Sequence, residues 1–345
     1  MPEIRKDPVN QYWVIVSEER SRRPSDFSRL EKRTDLPPRD EGCPFCPGNE
    51  EKTPPEVFRA NGGKPSWQVR VVPNKYPILS DEVCASSDAE LLERHGGSGA
   101  NEVIIETPLH HLRVPEYPLE QMLAVVGAYR KRLKQHLADP KTAYVQLFKN
   151  DGKEAGASLA HPHAQLVALP LIPPVMVNEL THAQRFWHKR KENLFAALID
   201  EELQQRIRVV EQSEDFVVMT PYASRFPYEL HLYPRFAASD FTQMNAKQCE
   251  GFCQIFQHTL RRLDHLLDCP PFNWFLHTLP NPAFLGKMGR AGTLYRWHVE
   301  IIPRLNFWAG LELGSGMILN PVLPEKAAEA LQAVSLPATA SQARL

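Results

Sequence analysis

Two histidines and a glutamine alternate with other residues in the segment His161-Pro162-His163-Ala164-Gln165. In a β-strand, successive side chains point to opposite faces, so His161, His163 and Gln165 are predicted to project from one face. Pro162 lacks a backbone donor, which places it at a sheet edge or at the end of a ladder. Three polar side chains on one strand face are costly to bury unless they have partners or a chemical task. The segment therefore suits either a reactive imidazole or a polar surface strand.

The segment before these histidines, FKNDGKEAGAS at 148–158, is a glycine-containing loop that carries Asn150 and Ser158. Backbone N–H groups in such a loop, together with polar side chains, can hold phosphate oxygens. The loop and the histidines together indicate phosphate chemistry at this end of the strand.

A CPFC motif at 43–46 places Cys43 and Cys46 at the spacing at which two thiolates share one tetrahedral zinc ion. A second CxxC is missing, so the remaining ligands would be distant histidines, with His110 or His111 and His161 as candidates. A redox disulfide is the competing interpretation, but no thioredoxin-like βαβ pattern surrounds the motif.

A second set of possible ligands comprises Glu179, His277, His298 and Glu300. His298 and Glu300 are two residues apart on a predicted strand and so share a face. Histidines and carboxylates suit Zn²⁺ or Fe²⁺. A hydrogen-bonded or ion-paired cluster is the alternative that the spacing leaves open.

The composition excludes several classes of protein. The 345 residues carry 40 Lys+Arg and 41 Asp+Glu, a net charge of −1, which gives no field to hold nucleic acid or an anionic membrane. Six cysteines in this length do not form a disulfide scaffold. No apolar run approaches the roughly 20 residues of a bilayer span, and the N-terminus has no signal-peptide pattern. The sequence predicts a soluble, cytoplasmic protein that binds neither nucleic acid nor membrane.

Hydrophobic periodicity predicts two long amphipathic helices, one that starts at Pro118 and one that follows a cap at Asn245. Shorter helices are predicted at 192–204 and 324–334, and β-rich runs predict strands at 13–16, 69–72, 103–105, 144–148, 166–169, 216–219, 229–233, 274–276 and 299–302.

These elements recur in the same order after about 130 residues, which indicates a duplicated domain. Strands with one long helix between the pairs predict an α+β fold with largely antiparallel sheets. We expect a first domain at 1–170, a connector that contains a helix at 171–207, and a second domain at 208–345.

Taken together, the motifs resemble the galactose-1-phosphate uridylyltransferases and their nucleotidyltransferase relatives in the histidine-triad superfamily. The resemblance spans nearly the whole chain and includes IRKDPVNQYWVIVSEERSRRP at 4–24, VRVVPNKYP at 69–77, WHVEIIPR at 297–304 and GLELGSGMILNPVLPE at 310–325, besides the cysteine and histidine motifs. It implies two tandem histidine-triad-like domains, of which only the first keeps the full catalytic strand.

The resemblance implies that His163 is a nucleophile that attacks the α-phosphorus of a nucleoside diphosphate sugar. A nucleotidyl-histidine forms, sugar 1-phosphate leaves, and a second sugar 1-phosphate reverses the step, which gives ping-pong kinetics. Gln165 is implied to donate to a phosphoryl oxygen, as are loop amides around Gly156 and the hydroxyl of Ser158.

Further substrate-binding residues follow from the resemblance. Asn74 and Asn150 match nucleotide-contacting positions, and Glu312 matches a substrate-binding position. Arg20 and Arg23 match arginines that reach the substrate across a dimer interface, where guanidinium suits bidentate phosphate contacts. A homodimer is therefore expected.

The resemblance also implies two metal sites. A structural zinc site maps to Cys43, Cys46, His110 and His161, where TPLH at 107–110 favours His110 over His111. A second site, for iron or zinc, maps to Glu179, His277, His298 and Glu300. Glu300 stands where some members have histidine.

The expected activity is the exchange of UMP between UDP-glucose and galactose 1-phosphate. Ala164 and Lys75 replace the glycine and aspartate of well-known uridylyltransferases, and both variations occur in relatives that act on ADP-glucose. An ADP-glucose phosphorylase with the same covalent mechanism is therefore the main alternative. Hydrolases of the superfamily typically carry histidine where Gln165 stands, which argues for transfer. A zinc-stabilised nucleotide-binding protein without catalysis is the alternative from another class.

Overall fold

The structure is a computed structural model that describes residues 2–18, 36–61, 63, 66–80, 91–286 and 288–336. The strands in these residues are β1 (Glu3–Lys6), β2 (Trp13–Val16), β3 (Phe58–Ala60), β4 (Val69–Pro73), β5 (Ala100–Ile105), β6 (Tyr144–Asp151), β7 (His163–Leu169), β8 (Val209–Gln212), β9 (Phe216–Met219), β10 (Leu230–Pro234), β11 (Phe272–His277), β12 (His298–Pro303) and β13 (Ile318–Asn320). The helices are α1 (Leu119–Leu137), α2 (Pro174–Arg190), α3 (Leu194–Gln205), α4 (Ala246–Leu267), α5 (Ala291–Leu294), α6 (Gly310–Ser315) and α7 (Pro324–Gln332).

Ten strands form one sheet in the order β3-β4-β5-β7-β6-β11-β12-β10-β9-β8. The order β3-β4-β5-β7-β6 in the first half is repeated as β8-β9-β10-β12-β11 in the second. The halves meet where β6 pairs antiparallel with β11, with Phe148 opposite Phe275. The duplicated α+β fold expected from the sequence is confirmed. The boundaries at 170 and 207 stay predictions.

One face of the sheet packs against α1 and α4. Alternate residues of the central strands, such as Val145 and Leu147 on β6 and Trp274 and Leu276 on β11, join the buried stripes of both helices in one core. Alternation in the strands and the helical period of α1 and α4 put these apolar residues on facing surfaces. Asn245 starts α4 as predicted, because its side chain accepts a hydrogen bond from the Gln248 amide.

The opposite face differs between the halves. In the second half α2 and α3 cover it, and Met176, Leu180 and Phe195 pack there against Val217 and Tyr233. Among the described residues, the same face of the first half carries a small cluster around Phe45 and Val103 and forms a cleft. The connector thus contains two helices, where the sequence predicted one, and it closes one side of the second half.

A separate three-stranded sheet joins the two ends of the described chain. In it β2 pairs antiparallel with β1 and parallel with β13. None of the described helices combines the length and the apolar character that a bilayer crossing requires.

Candidate active site

His163 is the first residue of β7, and its side chain lies on the open face of the sheet. Its Nδ1 is 2.8 Å from the carbonyl oxygen of His161. A carbonyl can only accept, so Nδ1 carries the proton and Nε2 carries the lone pair. His161 itself precedes the strand, because the proline puts the ladder end here, and its ring turns away toward the two cysteines. The predicted row of three side chains therefore begins at His163.

The imidazole of His163 is poised in its neutral form. Burial lowers the pKa of His163, and the nearby Lys149 ammonium lowers it further. The ordinary histidine value is about 6.5, so the ring is uncharged at neutral pH. A neutral ring with a free Nε2 is a nucleophile.

His163 and Gln165 line a cleft of about 780 Å³, within the usual size range of small-molecule sites. Among the described residues, the lining side chains include Lys52 and Lys75 and no carboxylate. A cationic cleft of this size favours a phosphorylated ligand.

Two other predicted residues, Asn74 and Ser158, also line the cleft. The Asn74 amide donates to Asn101 Oδ1 at 3.0 Å, and its oxygen accepts from the Tyr76 amide at 3.0 Å. These bonds fix the turn after β4. Asn74 thus shapes the wall of the cleft besides facing it.

Asn150 and Gly156 contact each other, and neither lines the cleft. Asn273 of β11 donates to Asn150 Oδ1 and to the Ala155 carbonyl, both at 2.8 Å. Gly156 has a φ of 89°, a conformation that favours glycine. This part of the loop therefore adjoins the cleft as a fixed turn.

Three predicted substrate residues remain: Glu312, Arg20 and Arg23. Glu312 is on α6, where its carboxylate accepts from the Ala309 amide at 2.8 Å, and it does not line the cleft. Arg20 and Arg23 lie outside the described residues.

Cys43, Cys46, His110 and His161 are all buried and converge on one point. Cys46 Sγ lies 3.5 Å from His110 Nδ1 and 3.6 Å from His161 Nδ1, and Cys43 Sγ lies 3.7 Å from His161 Nδ1. Tetrahedral bonds of about 2.3 Å to sulfur and about 2.05 Å to nitrogen separate two such ligands by about 3.5 Å. The four side chains therefore fit a tetrahedral metal ion. The structure brings His110, and not His111, to the thiols.

The chemistry of this cluster also suits a metal. Burial lowers the pKa of His161 to about 4, so its ring is neutral, and its Nε2 lies 2.8 Å from the Thr107 carbonyl, which turns Nδ1 toward the sulfurs. Phe45, between the two cysteines, packs edge-on against the His163 ring with centroids 5.3 Å apart. The cysteine loop thus packs against the His163 ring.

Glu179, His277, His298 and Glu300 also converge, on the covered face of the second half. His277 Nδ1 is 2.9 Å from Glu179 Oε1. Tyr295 donates to the other oxygen of Glu179 at 2.7 Å. Burial acts to raise the pKa of Glu179, but the two facing histidines hold it at about 2.

His298 decides what this second cluster can hold. Its Nδ1 is 3.1 Å from the Arg296 carbonyl and so carries the proton. Its Nε2 faces Glu179 Oε1 and Glu300 Oε1, each at 3.7 Å. A divalent cation among these atoms fits the donor set. The other oxygen of Glu300 is already paired with Arg225.

The sequence analysis missed the side chains that support these groups. Arg225, Glu229 and His231 surround Glu300, and Lys149 and Glu106 form a buried ion pair behind β7. The alternation of residues along β6 could have revealed the last pair, because Lys149 follows Val145 and Leu147 on the buried face of that strand. A charge in an apolar register is unusual.

A neutral histidine in a cationic cleft, on one half of a duplicated antiparallel sheet, suits an enzyme that transfers a phosphorylated group. Profiles described as "Galactose-1-phosphate uridyl transferase, N-terminal domain" and "C-terminal domain" match residues 1–173 and 179–342. The chain belongs to the galactose-1-phosphate uridyl transferase family, and it is a transferase.

Individual relatives match the chain almost end to end. An ADP-glucose phosphorylase of Arabidopsis thaliana is 32% identical over 97% of this chain and 93% of its own length. A galactose-1-phosphate uridylyltransferase of Thermotoga maritima is 26% identical over 96% and 98%. Among solved structures, the Arabidopsis thaliana phosphorylase with bound ADP-glucose superposes with a TM-score of 0.83 at 31% identity, covering 97% of this chain and 100% of that one. A uridylyltransferase gives 0.73 at 26% identity, covering 96% and 98%.

Proposed function

We propose that this protein transfers a nucleotidyl group from a nucleoside diphosphate sugar by way of a covalent intermediate on His163. The observation that carries the proposal is the His163 ring: Nδ1 is committed to the His161 carbonyl, and the unprotonated Nε2 belongs to a side chain that lines the cleft. Exchange of UMP between UDP-glucose and galactose 1-phosphate is the reaction expected from the sequence.

In the first half-reaction the Nε2 lone pair attacks the α-phosphorus of the donor. A P–N bond forms, the bond from the α-phosphorus to the bridging oxygen breaks, and the electron pair leaves with sugar 1-phosphate. The ring becomes a cation whose Nδ1–H is already donated to the His161 carbonyl. Gln165 and Ser158 line the cleft and are placed to donate to phosphoryl oxygens as charge develops.

In the second half-reaction a phosphate oxygen of the acceptor attacks the same phosphorus. The P–N bond breaks, and its electron pair returns to Nε2. Because each product leaves before the next reactant enters, the kinetics are ping-pong. Lys52 and Lys75 lend the cleft positive charge that suits both phosphorylated reactants.

A second candidate is an ADP-glucose phosphorylase, in which inorganic phosphate accepts AMP from the same histidine. The observation that favours it is the 32% identity and the TM-score of 0.83 to relatives of that name, against 26% and 0.73 for the uridylyltransferases given above. The two candidates share the mechanism and differ in base and acceptor.

Product analysis separates the candidates. The protein is incubated with UDP-glucose plus galactose 1-phosphate, and separately with ADP-glucose plus inorganic phosphate. UDP-galactose from the first mixture supports the uridylyltransferase, and ADP from the second supports the phosphorylase. Binding of either nucleotide sugar without any product, unchanged in His163→Ala, contradicts both and supports a non-catalytic nucleotide-binding protein.

We also propose a structural zinc ion at Cys43, Cys46, His110 and His161, supported by the two-sulfur, two-nitrogen donor set and its tetrahedral spacing. This ion would hold the segment that carries His163 in place and would take no part in the bond changes. For Glu179, His277, His298 and Glu300 we propose a second ion, iron or zinc, supported by the convergence of two histidine nitrogens and two carboxylates on one point.

Several expectations from the sequence stay predictions. These are the homodimer, the cytoplasmic location, and the substrate contacts of Arg20, Arg23, Asn74, Asn150, Gly156 and Glu312. A mass measurement of the native protein in solution tests the dimer directly.

A further inference from the structure

A fully buried ion pair lies directly behind the strand that carries the nucleophile. Lys149 Nζ of β6 is 2.7 Å from Glu106 Oε2, and both side chains are at most 1% exposed. Tyr117 donates to Glu106 at 3.0 Å, and Tyr129 donates to its other oxygen. The carboxylate is thus saturated by one ammonium and two hydroxyls.

Such a pair is poor evidence of a purely stabilising role. Removing two charges from water costs about as much as their attraction returns, and apolar substitutes of similar volume are often as stable or more so. The two preceding positions in the β6 alternation, Val145 and Leu147, are apolar and belong to the core. The charge at Lys149 therefore calls for a reason besides packing.

The second contact of Lys149 supplies that reason. Its ammonium donates to the backbone carbonyl of His163 at 3.1 Å. Register pairing of β6 with β7 ends at Phe148 opposite Gln165, two residues short of the nucleophile along β7. The His163 peptide thus lies beyond the last residue paired with β6, although it is opposite Ile105 in the pairing with β5, and on its β6 side the Lys149 side chain bonds to it.

Glu106 fixes the other side of the same segment. Its amide donates to the Pro162 carbonyl at 3.2 Å, and the carbonyl of the next residue, Thr107, holds His161. One carboxylate therefore anchors the ammonium behind His163, while the backbone around it holds the two residues before His163.

We infer that Lys149, held by Glu106, is a positioning residue that fixes the His163 peptide so that Nε2 meets the α-phosphorus in line. This inference rests on the proposed covalent mechanism. It assigns Lys149 an effect on the rate of the first half-reaction and little effect on donor binding, since neither Lys149 nor Glu106 lines the cleft.

Three variants test the inference: Glu106→Gln, Lys149→Met and the double variant. Glu106→Gln keeps the ammonium and its bond to His163 but leaves a buried charge without its counter-charge, so it is less stable than the double variant, which buries no charge. The first half-reaction is followed by rapid quench and intact mass over a range of UDP-glucose or ADP-glucose, whichever labels the wild type. Melting temperature and metal content are measured on the same samples.

We expect the orders of stability and rate to be opposite. The double variant is expected to have a higher melting temperature than Glu106→Gln. Its saturating rate of adduct formation is nevertheless expected to be about tenfold or more below wild type, because misplaced reacting groups lower the rate by such factors. Glu106→Gln stays within about threefold of wild type, and half-saturating donor concentrations stay within about threefold for all, because the donor site is untouched.

A matched control comes from another buried ion pair of the same half, Arg132 with Glu102, whose side chains bond to each other and, in the described residues, not to the β7 backbone. The double variant Glu102→Gln/Arg132→Met is expected to keep the wild-type rate. Saturating rates that follow melting temperature across all variants, or a wild-type rate in Glu106→Gln/Lys149→Met, would overturn the inference. Where Glu106→Gln does not fold, the folded double variant against wild type decides alone. Absence of adduct in the wild type instead refutes the proposed function.

Discussion

The two halves of the ten-stranded sheet have corresponding strands and one long helix each, but they differ on the face opposite α1 and α4. In the first half that face opens into a cleft of about 780 Å³ with His163 in its wall. In the second half α2 and α3 cover it, and a cavity of about 20 Å³ next to His298 and Glu300 holds no more than a water. The corresponding strands β7 and β12 thus face different surroundings.

This difference shows that the helices packed on the sheet face, rather than the strand itself, decide what the polar residues of the strand do. His163 and Gln165 on β7 have the same i, i+2 spacing as His298 and Glu300 on β12. On the open face the histidine keeps a free Nε2 toward a ligand site. On the covered face Glu179 from α2 completes a closed cluster. We therefore assign chemistry to the first half and structural support to the second.

The largest expected effect is that of His163→Ala. Loss of the nucleophile removes the covalent route, so transfer falls by at least about 10³-fold. The melting temperature changes little, because the ring faces the cleft and not the core. His182→Ala on α2, a half-buried histidine that does not line the cleft, is the control and retains full activity. Activity that survives in His163→Ala would break the contrast between the halves.

Cys43→Ser tests the first metal cluster. The ligands come from three distant segments, so losing one is expected to lower bound zinc and stability together, by several kcal/mol in a structural site. Elemental analysis and thermal unfolding give the two readouts. Cys269→Ser, outside both clusters, is the matched control. Unchanged zinc content in Cys43→Ser would contradict the assignment.

Glu179→Gln tests the closed cluster of the second half. Glu179 is fully buried and bonds to His277 and Tyr295, so removing its charge is expected to cost roughly 3 kcal/mol of unfolding free energy. Transfer per folded molecule stays near wild type, since the cluster lines no substrate cleft. A variant of normal stability with lost transfer would reverse the roles of the two halves.

The smallest expected effect is a difference in acid sensitivity between two ion pairs. Glu102–Arg132 in the first half and Glu211–Arg262 in the second are expected to contribute unequally to the loss of stability at low pH. Burial acts to raise the pKa of each glutamate, but its histidine and arginine partners hold it below the ordinary value in the folded state. Their stabilisation is therefore complete above about pH 4.5 and is lost as the pH falls through the lower folded pKa.

Denaturation midpoints from pH 7 to pH 3 check this. Glu102→Gln is expected to reduce the dependence of the unfolding free energy on pH more than Glu211→Gln does. The reason is that the side chains of the first pair are 4–6% exposed and those of the second 19–20%. Pairs that are partly in water contribute about 1 kcal/mol or less. An equal reduction in both variants would show that exposure does not set the difference.

The sequence was sufficient for much of this architecture. Strand alternation and helical periodicity predicted the long helices after Pro118 and Asn245 and nine of the thirteen described strands, but not β1, β3, β8 or β13. The recurrence of these elements predicted the duplication. The CPFC spacing and the alternation around His163 indicated metal and phosphate chemistry. Each of these signals is local, which is why it can be found in one chain without a structure.

What the sequence could not supply is contact between distant segments. The helix α2 was hidden by Pro173 and Pro174, which open it rather than break it. The bond from Lys149 to His163, and the arrangement of Arg225 and His231 around Glu300, depend on which strands become neighbours. Periodicity assigns a residue to a face and says nothing about its neighbour across the sheet.

The most direct test of the central claim is the intact mass of the protein after separate mixing with UDP-glucose and ADP-glucose, followed by mapping of the labelled peptide. We predict a single nucleotidyl adduct from at least one donor, located on His163 and absent from His163→Ala. An adduct on another residue, or no adduct from either donor, would contradict the claim that the open half of the sheet carries the nucleophile.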